Sequence, residues 1–221
     1  MYKIFLLFVN IIIATACFAQ TLGEPQGSVN AKSLAILNSI SSTYKNSTGT
    51  QMELKISFTD NKTGEKSTAS GTLKTSGNKF NLTTNFAIMI FDGKTLDVYD
   101  KQTNELTVST PSKDEVSSID PTAIMTMFKE GYKISEPQYE ASNHNLVSIN
   151  MYPEDRKSET SMITLTIDTS TNTPTTIKTF GKNGVDNVLE IKKIEVNKKF
   201  DETVFQFNAD KYKKLQIIDL R

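Results

Sequence analysis

From Gln51 onward the chain alternates polar and apolar residues. Met52, Leu54, Ile56 and Phe58 are interleaved with Gln51, Glu53, Lys55 and Ser57, a period of two that sends successive side chains to opposite faces of a strand and leaves one face to be buried. Similar short stretches follow at Thr72–Thr75, Lys79–Thr84, Ile88–Phe91, Thr95–Tyr99 and Leu106–Ser109. They resume at Tyr132–Tyr139, Leu146–Tyr152, Ser161–Ile167, Thr175–Phe180 and Val185–Val196, and a last pair is expected at Val204–Phe207 and Gln216–Leu220. Between them stand turn-forming residues: Asn61–Gly64, Ser76–Asn78, Asp92-Gly93, Lys101–Asn104, Asp168–Pro174 and Gly181–Gly184. Strands this close in sequence pair antiparallel. Ten or more of them with only two or three helices must curl into a barrel, a half-barrel or a sandwich to cover their apolar faces.

Two segments carry the helical period instead. Asn30 is a good N-cap, Val29 and Leu34 stand at staple positions, and Leu34, Leu37, Ile40 and Tyr44 share one face of a helix that Gly49 is expected to end. Asp120-Pro121 is a strong helix start, followed by Ile124, Met125, Met127 and Phe128 and closed by Gly131. Methionine is flexible and suits a surface that repacks around apolar guests, although Met and Phe at this spacing also describe ordinary core. No composition break and no long internal repeat divides residues 20–221, which read as a single domain after a loose lead-in at 20–29.

The first 19 residues have a different character. Lys3 precedes an apolar run from Ile4 to Ile13, broken only by Asn10, and small residues follow. This is the layout of a signal peptide, with cleavage expected after Ala19, and it is short of the roughly 20 apolar residues of a comfortable membrane span. Ala14-Thr15-Ala16-Cys17 also admits a lipoprotein signal in which Cys17 is acylated. The plain signal peptide fits better, because the first position of such a box is usually a larger aliphatic residue.

The chemistry-bearing residues are sparse. Of 221 residues there is one His, one Cys and no Trp, with 25 Lys+Arg balanced by 25 Asp+Glu. A balanced charge with Arg156 and Arg221 as the only arginines argues against a nucleic-acid surface. One cysteine excludes an internal disulfide or a cysteine-based zinc site. His144 stands alone in a polar loop, so no Ser-His-Asp or Cys-His set is available, and no metal or cofactor is expected. Glu154-Asp155 and the Glu136/Glu140 pair read as solvated edge and loop residues. Gly181-Lys182-Asn183-Gly184 lies between strands and reads as a hairpin rather than a phosphate loop. Lys192, Lys193, Lys198, Lys199, Lys211, Lys213 and Lys214 tint the C-terminal part basic, as a solvated face or a surface for an anionic membrane or acidic partner.

The order of these signals resembles the LolA family of periplasmic lipoprotein carriers over essentially the whole mature chain. The resemblance rests on the helix Ala31–Tyr44, Gly71-Thr72-Leu73 with Gly77-Asn78-Lys79-Phe80, and Ile90-Phe91-Asp92-Gly93-Lys94-Thr95-Leu96 leading into Val98-Tyr99-Asp100. The helix after Pro121 and the ending Ile218-Asp219-Leu220-Arg221 complete it.

The resemblance implies a mainly β, α+β fold: a single half-open antiparallel β-barrel of about eleven strands, lidded by helices, whose concavity accepts acyl chains. Alternation and resemblance together put Leu54, Ile56, Phe58, Leu73, Phe80, Leu82, Phe91, Leu96 and Val98 on the concave wall, and Ile124, Met125 and Phe128 on the lid. The implied partners are acylated lipoproteins, an inner-membrane lipoprotein release complex and an outer-membrane acceptor. The protein would be a periplasmic monomer and not an enzyme. The same fold also suits an envelope sensor, a lipid-binding protein without transfer activity or, with Cys17 acylated, an anchored acceptor. Two departures stand out. Where relatives carry an Arg-Pro whose Arg latches the lid, this chain has Thr75-Ser76, with Lys74 the nearest cation; where Trp is frequent it has Asp97.

Overall fold

The structure, a computed structural model, describes residues 30–112 and 131–221. It begins with the expected helix, α1 (Ala31–Lys45), capped by Asn30, whose Oδ1 accepts from the backbone N–H groups of Lys32 and Ser33 at 3.0 and 3.2 Å. The helix ends at Lys45, before Gly49. Gly49 has another job: a Cβ there would sit 2.5 Å from the Lys198 carbonyl oxygen and 3.0 Å from that of Thr75, so only glycine lets the three backbone segments meet.

Among the described residues thirteen strands follow, where the family resemblance implied about eleven. They are β1 (Thr50–Asp60), β2 (Lys66–Ser76), β3 (Lys79–Thr84), β4 (Ala87–Phe91), β5 (Leu96–Asp100) and β6 (Glu105–Ser109), then β7 (Tyr132–Ile134), β8 (Gln138–Tyr139), β9 (Leu146–Pro153), β10 (Thr160–Asp168), β11 (Thr173–Gly181), β12 (Val185–Val196) and β13 (Gln216–Asp219). They form one sheet in the order β13-β6-β5-β4-β3-β2-β1-β12-β11-β10-β9-β7, with β8 also on β9. The ends do not pair, so the sheet stays open. Long β12 closes onto β1 at its centre, and β6 and β7, the strands either side of the undescribed residues 113–130, lie toward opposite ends.

Two stretches depart from the sequence reading. Tyr132–Tyr139 is two strands, because Pro137 has no N–H to give a ladder and the chain breaks at Ser135–Pro137. Val204–Phe207 is not a strand. Asp201 caps a 3₁₀ turn, Glu202–Phe205, which lies across β3 with Asn81 donating to the Val204 carbonyl at 2.6 Å. β13 therefore has no antiparallel partner beside it and adds in parallel to β6.

The turns obey the chemistry of their residues. Asp60, Asp92 and Asp100 each accept from backbone N–H groups two and three residues ahead, and Gly64, Gly77, Gly93 and Gly184 take positive φ.

The face that carries α1 is the inner face. Leu37 and Ile40 pack against Ile134 of β7, Val147, Ile149 and Met151 of β9, Ile163, Leu165 and Ile167 of β10 and Ile177 of β11, all of them buried. One half of the open sheet is thus filled by its own helix.

The outer face is also apolar near the β13 end. There Tyr99, Leu106 and Val108 are covered by Phe207, Tyr212 and Leu215 of the C-terminal segment. Among the described residues no helix is long and apolar enough to cross a membrane.

Candidate functional site

The other half of the inner face, from β12 across to β5, is apolar and carries the residues expected on the concave wall. The ladder register defines it. One row runs Ile194, Met52, Leu73, Leu82, Met89 and Val98 across β12, β1, β2, β3, β4 and β5. The row beside it runs Val196, Thr50, Thr75, Phe80, Phe91 and Leu96. On the other side stand Ile191, Leu54 and Gly71, then Leu189, Ile56 and Ala69, then Asn187, Phe58 and Ser67.

Leu54, Ile56, Phe58, Leu73, Phe80, Leu82, Phe91, Leu96 and Val98 therefore all stand on one face of neighbouring strands; all are buried except Val98, which is half-buried. Ile124, Met125 and Phe128 lie outside the described residues.

The inner face also includes residues that the sequence reading left out. Met52 and Met89 have the right parity. Leu189, Ile191 and Ile194 do not share one parity, yet they share a face, because a bulge opposite Glu53 and Leu54 inserts an extra residue between Ile191 and Lys193. The band ends at β6, whose inward positions are Glu105, Thr107 and Ser109. Among the described residues, Tyr44 of α1 is the apolar side chain from outside the sheet that packs on this cluster, and it also packs on the helix-filled half.

Tyr44 is notable for its polar end. Its hydroxyl is buried without a hydrogen-bond partner, as are Ser41 Oγ on the same side of α1 and Asn187 Oδ1 opposite Phe58. Burial pushes the Tyr44 hydroxyl up to about 12. A buried polar group left unpaired costs about 1–3 kcal/mol, so each of these atoms needs an explanation.

Comparison with known proteins agrees with this architecture. Residues 25–183 match the family model described as outer membrane lipoprotein carrier protein LolA. The chain belongs to the LolA family. No curated protein matches it. Among solved structures, an uncharacterized conserved protein from Thermus thermophilus superposes with a TM-score of 0.54 at 11% identity, over 85% of this chain and 99% of that one. A putative outer membrane lipoprotein-sorting protein domain from Vibrio parahaemolyticus gives 0.45 at 11% identity, over 80% and 97%. A LolA superfamily protein from Nitrosomonas europaea gives 0.42 at 12% identity, over 81% and 99%.

Within this LolA-family fold the departures acquire a geometry. Lys74 alternates with inward Leu73 and so stands on the outer face, with its Nζ 5.9 Å from the centre of the Phe200 ring. It does not approach the inner face; the inward residue next to it is Thr75, between Thr50 and Phe80. Asp97 is also outward. Burial raises its pKa, Asp92 adds to the rise and Arg221 opposes it.

His144 is exposed in the turn before β9, and no group of three or more His, Cys, Asp or Glu that could hold a metal occurs among the described residues. The Gly181–Gly184 turn joins β11 to β12 as expected. Part of the basic tint is neutralised on the outer face, where Glu190 pairs with Lys55 and Lys192, and Glu195 with Lys193 and Lys198.

Proposed function

We propose that this protein is a periplasmic carrier that holds the acyl chains of lipoproteins against the inner face of β12–β5 and ferries them from the inner to the outer membrane, without covalent chemistry. The observation that carries the reading is the apolar band on one half of the sheet. α1 packs its apolar side on β7–β11, whereas on β12 and β1–β5 an apolar band many residues wide receives, among the described residues, only Tyr44 from the helix. In a member of the LolA family that band is the natural seat for acyl chains.

The physical need is clear. Each buried CH₂ contributes about 0.8 kcal/mol to membrane anchoring, so a multiply acylated protein does not cross an aqueous gap unaided. A carrier must bury the chains and still release them, which asks for many weak apolar contacts rather than a few directed bonds. Met52 and Met89 serve this, since their flexible side chains repack around chains of different shape. Leu54, Ile56, Phe58, Leu73, Phe80, Leu82, Phe91, Leu96 and Val98 form the wall, and a signal peptide cleaved after Ala19 would deliver the chain to the periplasm.

The test is incubation of the mature protein with spheroplasts that hold a lipoprotein release complex, followed by immunoblotting of the soluble fraction. Release of lipoprotein as a one-to-one complex with this protein is the expected result. Folded protein that releases nothing would overturn the carrier reading and leave a lipid-binding or sensing role for the same face.

A further inference from the structure

Among the described residues, two of the three buried side-chain polar atoms without a partner belong together. Ser41 and Tyr44 are three residues apart on α1, so they lie one turn apart on the same side of the helix. Leu37 and Ile40, which also line that side, pack into the helix-filled core. Tyr44 lies at the seam, packed on both the helix-filled cluster and the apolar band of β12–β5. Its ring therefore belongs to the core, while its hydroxyl is an O–H donor closed off from water with nothing to accept from it.

The third orphan, Asn187, stands near the far end of β1 opposite Phe58, whereas Tyr44 packs on the cluster that includes Met52 and Leu73. It is a separate matter.

A helix that needed only packing at this position would be served by Phe and Ala, which leave no polar atom unsatisfied. Folded proteins rarely leave such groups unpaired, and an unpaired donor beside an apolar band is free to serve a ligand that lies on it. The chemistry of the pair narrows what that ligand offers. A neutral phenol hydroxyl donates one hydrogen bond, and Ser41 supplies a second hydroxyl that donates or accepts. Next to an apolar band, the acceptor that arrives attached to a hydrocarbon chain is a carbonyl.

We infer that Tyr44, supported by Ser41, is a carbonyl-reading site: it donates to the ester or amide carbonyl at the head of an acyl chain whose methylene tail lies on the β12–β5 inner face. The inference rests on the acyl-chain reading above and refines it. The apolar band would set affinity, and the Tyr44 hydroxyl would set where the chain begins, distinguishing an acyl group from a plain hydrocarbon.

The test uses the mature protein loaded with the apolar fluorescent probe N-phenylnaphthylamine and displaced by methyl palmitate or by heptadecane. Tyr44→Phe keeps the ring and deletes only the hydroxyl. It should weaken displacement by the ester about five- to tenfold, the worth of one hydrogen bond, and leave displacement by the alkane unchanged. Ser41→Ala should give a smaller loss in the same direction.

Equal displacement of wild type and Tyr44→Phe by the ester would overturn the carbonyl site and leave the acyl-chain reading standing. If neither compound displaces the probe from wild type, the acyl-chain reading fails and this one with it. A marked fall in the thermal midpoint of Tyr44→Phe would also overturn it, since the hydroxyl would then serve the fold itself. Repeating the comparison with a diacylated lipopeptide and a diacyl phospholipid identifies whose carbonyl is read. Sensitivity to Tyr44→Phe for either one supports the site, and for neither overturns it.

Discussion

Phe80 of β3 and Phe91 of β4 pair across the ladder on the inner face, their ring centroids 5.8 Å apart and their planes tilted by 34°. Tilted aromatic pairs at this separation contribute beyond the area they bury, by roughly 0.5–1.5 kcal/mol. Phe80 is 2% exposed and Phe91 3%. Both rings are thus held by the protein itself, whatever else the inner face binds.

Phe80→Ala is expected to cost about 3–5 kcal/mol, because the sheet does not collapse into the space of a lost ring. Phe91→Leu, which keeps most of the volume, should cost markedly less. Urea unfolding with unchanged slope checks both values. A Phe80→Ala cost below about 1 kcal/mol would mean that the ring is a loose wall element and not core.

Most of this architecture was legible because strand parity and turn chemistry are local. Met52, Leu54, Ile56 and Phe58 announce β1 by alternation alone, and Asp92-Gly93 announces the tight turn between β4 and β5. What was not legible depended on distant partners. The bulge that realigns Leu189, Ile191 and Ile194 forms only against Glu53 and Leu54 of β1. The alternation at Val204–Phe207 looks like a strand until Asn81 claims the Val204 carbonyl. At the candidate site, which residues share the inner face could be read from parity, but the unpaired hydroxyl of Tyr44 could not. In sequence Tyr44 is one more residue on an apolar helix face, and only the packed structure shows that nothing accepts from it.

Gly71 faces inward between Leu54 of β1 and Thr84 of β3, where a Cβ would run into the carbonyl oxygen of Thr83. Its φ is not positive, so the constraint is room and not conformation. Gly71→Ala would force β2 away from β3, and the expected loss is about 1–3 kcal/mol despite alanine's lower unfolded-state entropy. Denaturation of the variant checks this; a gain in stability would show that the strands separate freely.

Lys74 offers a test of lid control. Its Nζ lies over Phe200 on the outer face, on the opposite side of β2 from Leu73. Lys74→Ala should lower stability by no more than about 1 kcal/mol through the lost cation–π contact. It should leave release of lipoprotein from spheroplasts unchanged. Loss of release without loss of folding would mean that Lys74 does take the place of the family's latching arginine.

The pH dependence of stability should carry the signature of Asp97. Burial, reinforced by Asp92, raises its pKa above the ordinary 3.8, with Arg221 working against the rise. A carboxyl whose folded pKa is higher than its unfolded value binds its proton more tightly in the folded state. Its effect is most favourable to folding below pH 3.8 and becomes unfavourable as pH rises through the folded value. Asp97→Asn is therefore expected to be more stable than wild type at pH 7, with the difference vanishing at low pH. Arg221→Ala should act in the opposite direction at pH 7, since it removes the cation that eases Asp97 and also the partner of Asp219. Urea midpoints of the three proteins across this range decide the matter, and an Asp97→Asn variant weaker than wild type at pH 7 would rule the assignment out.

The C-terminal segment seals the outer face by aromatic stacking. Phe207 and Tyr212 lie parallel, their planes 13° apart and centroids 5.1 Å apart, and Tyr99 packs on both at 5.4 and 4.4 Å. Tyr99 also donates from its hydroxyl to Asn104 Oδ1 at 3.0 Å, and Asn104 in turn donates to the carbonyls of Lys213 and Lys214. Packing and hydrogen bonds thus fix the same stretch that delivers β13 to β6 in parallel. Phe207→Ser should cost about 1.5–3 kcal/mol, the worth of burying one large apolar side chain. It should also loosen β13, so that the amide protons of Ile217 and Ile218 exchange faster than in wild type while those of β1 are unaffected. Exposed Tyr99, Leu106 and Val108 beside an unpaired β6 edge would then invite edge-to-edge pairing between molecules, measurable as concentration-dependent association by light scattering. A monomeric Phe207→Ser variant with unchanged exchange at Ile217 would mean that β13 is held by its ladder bonds to β6 alone.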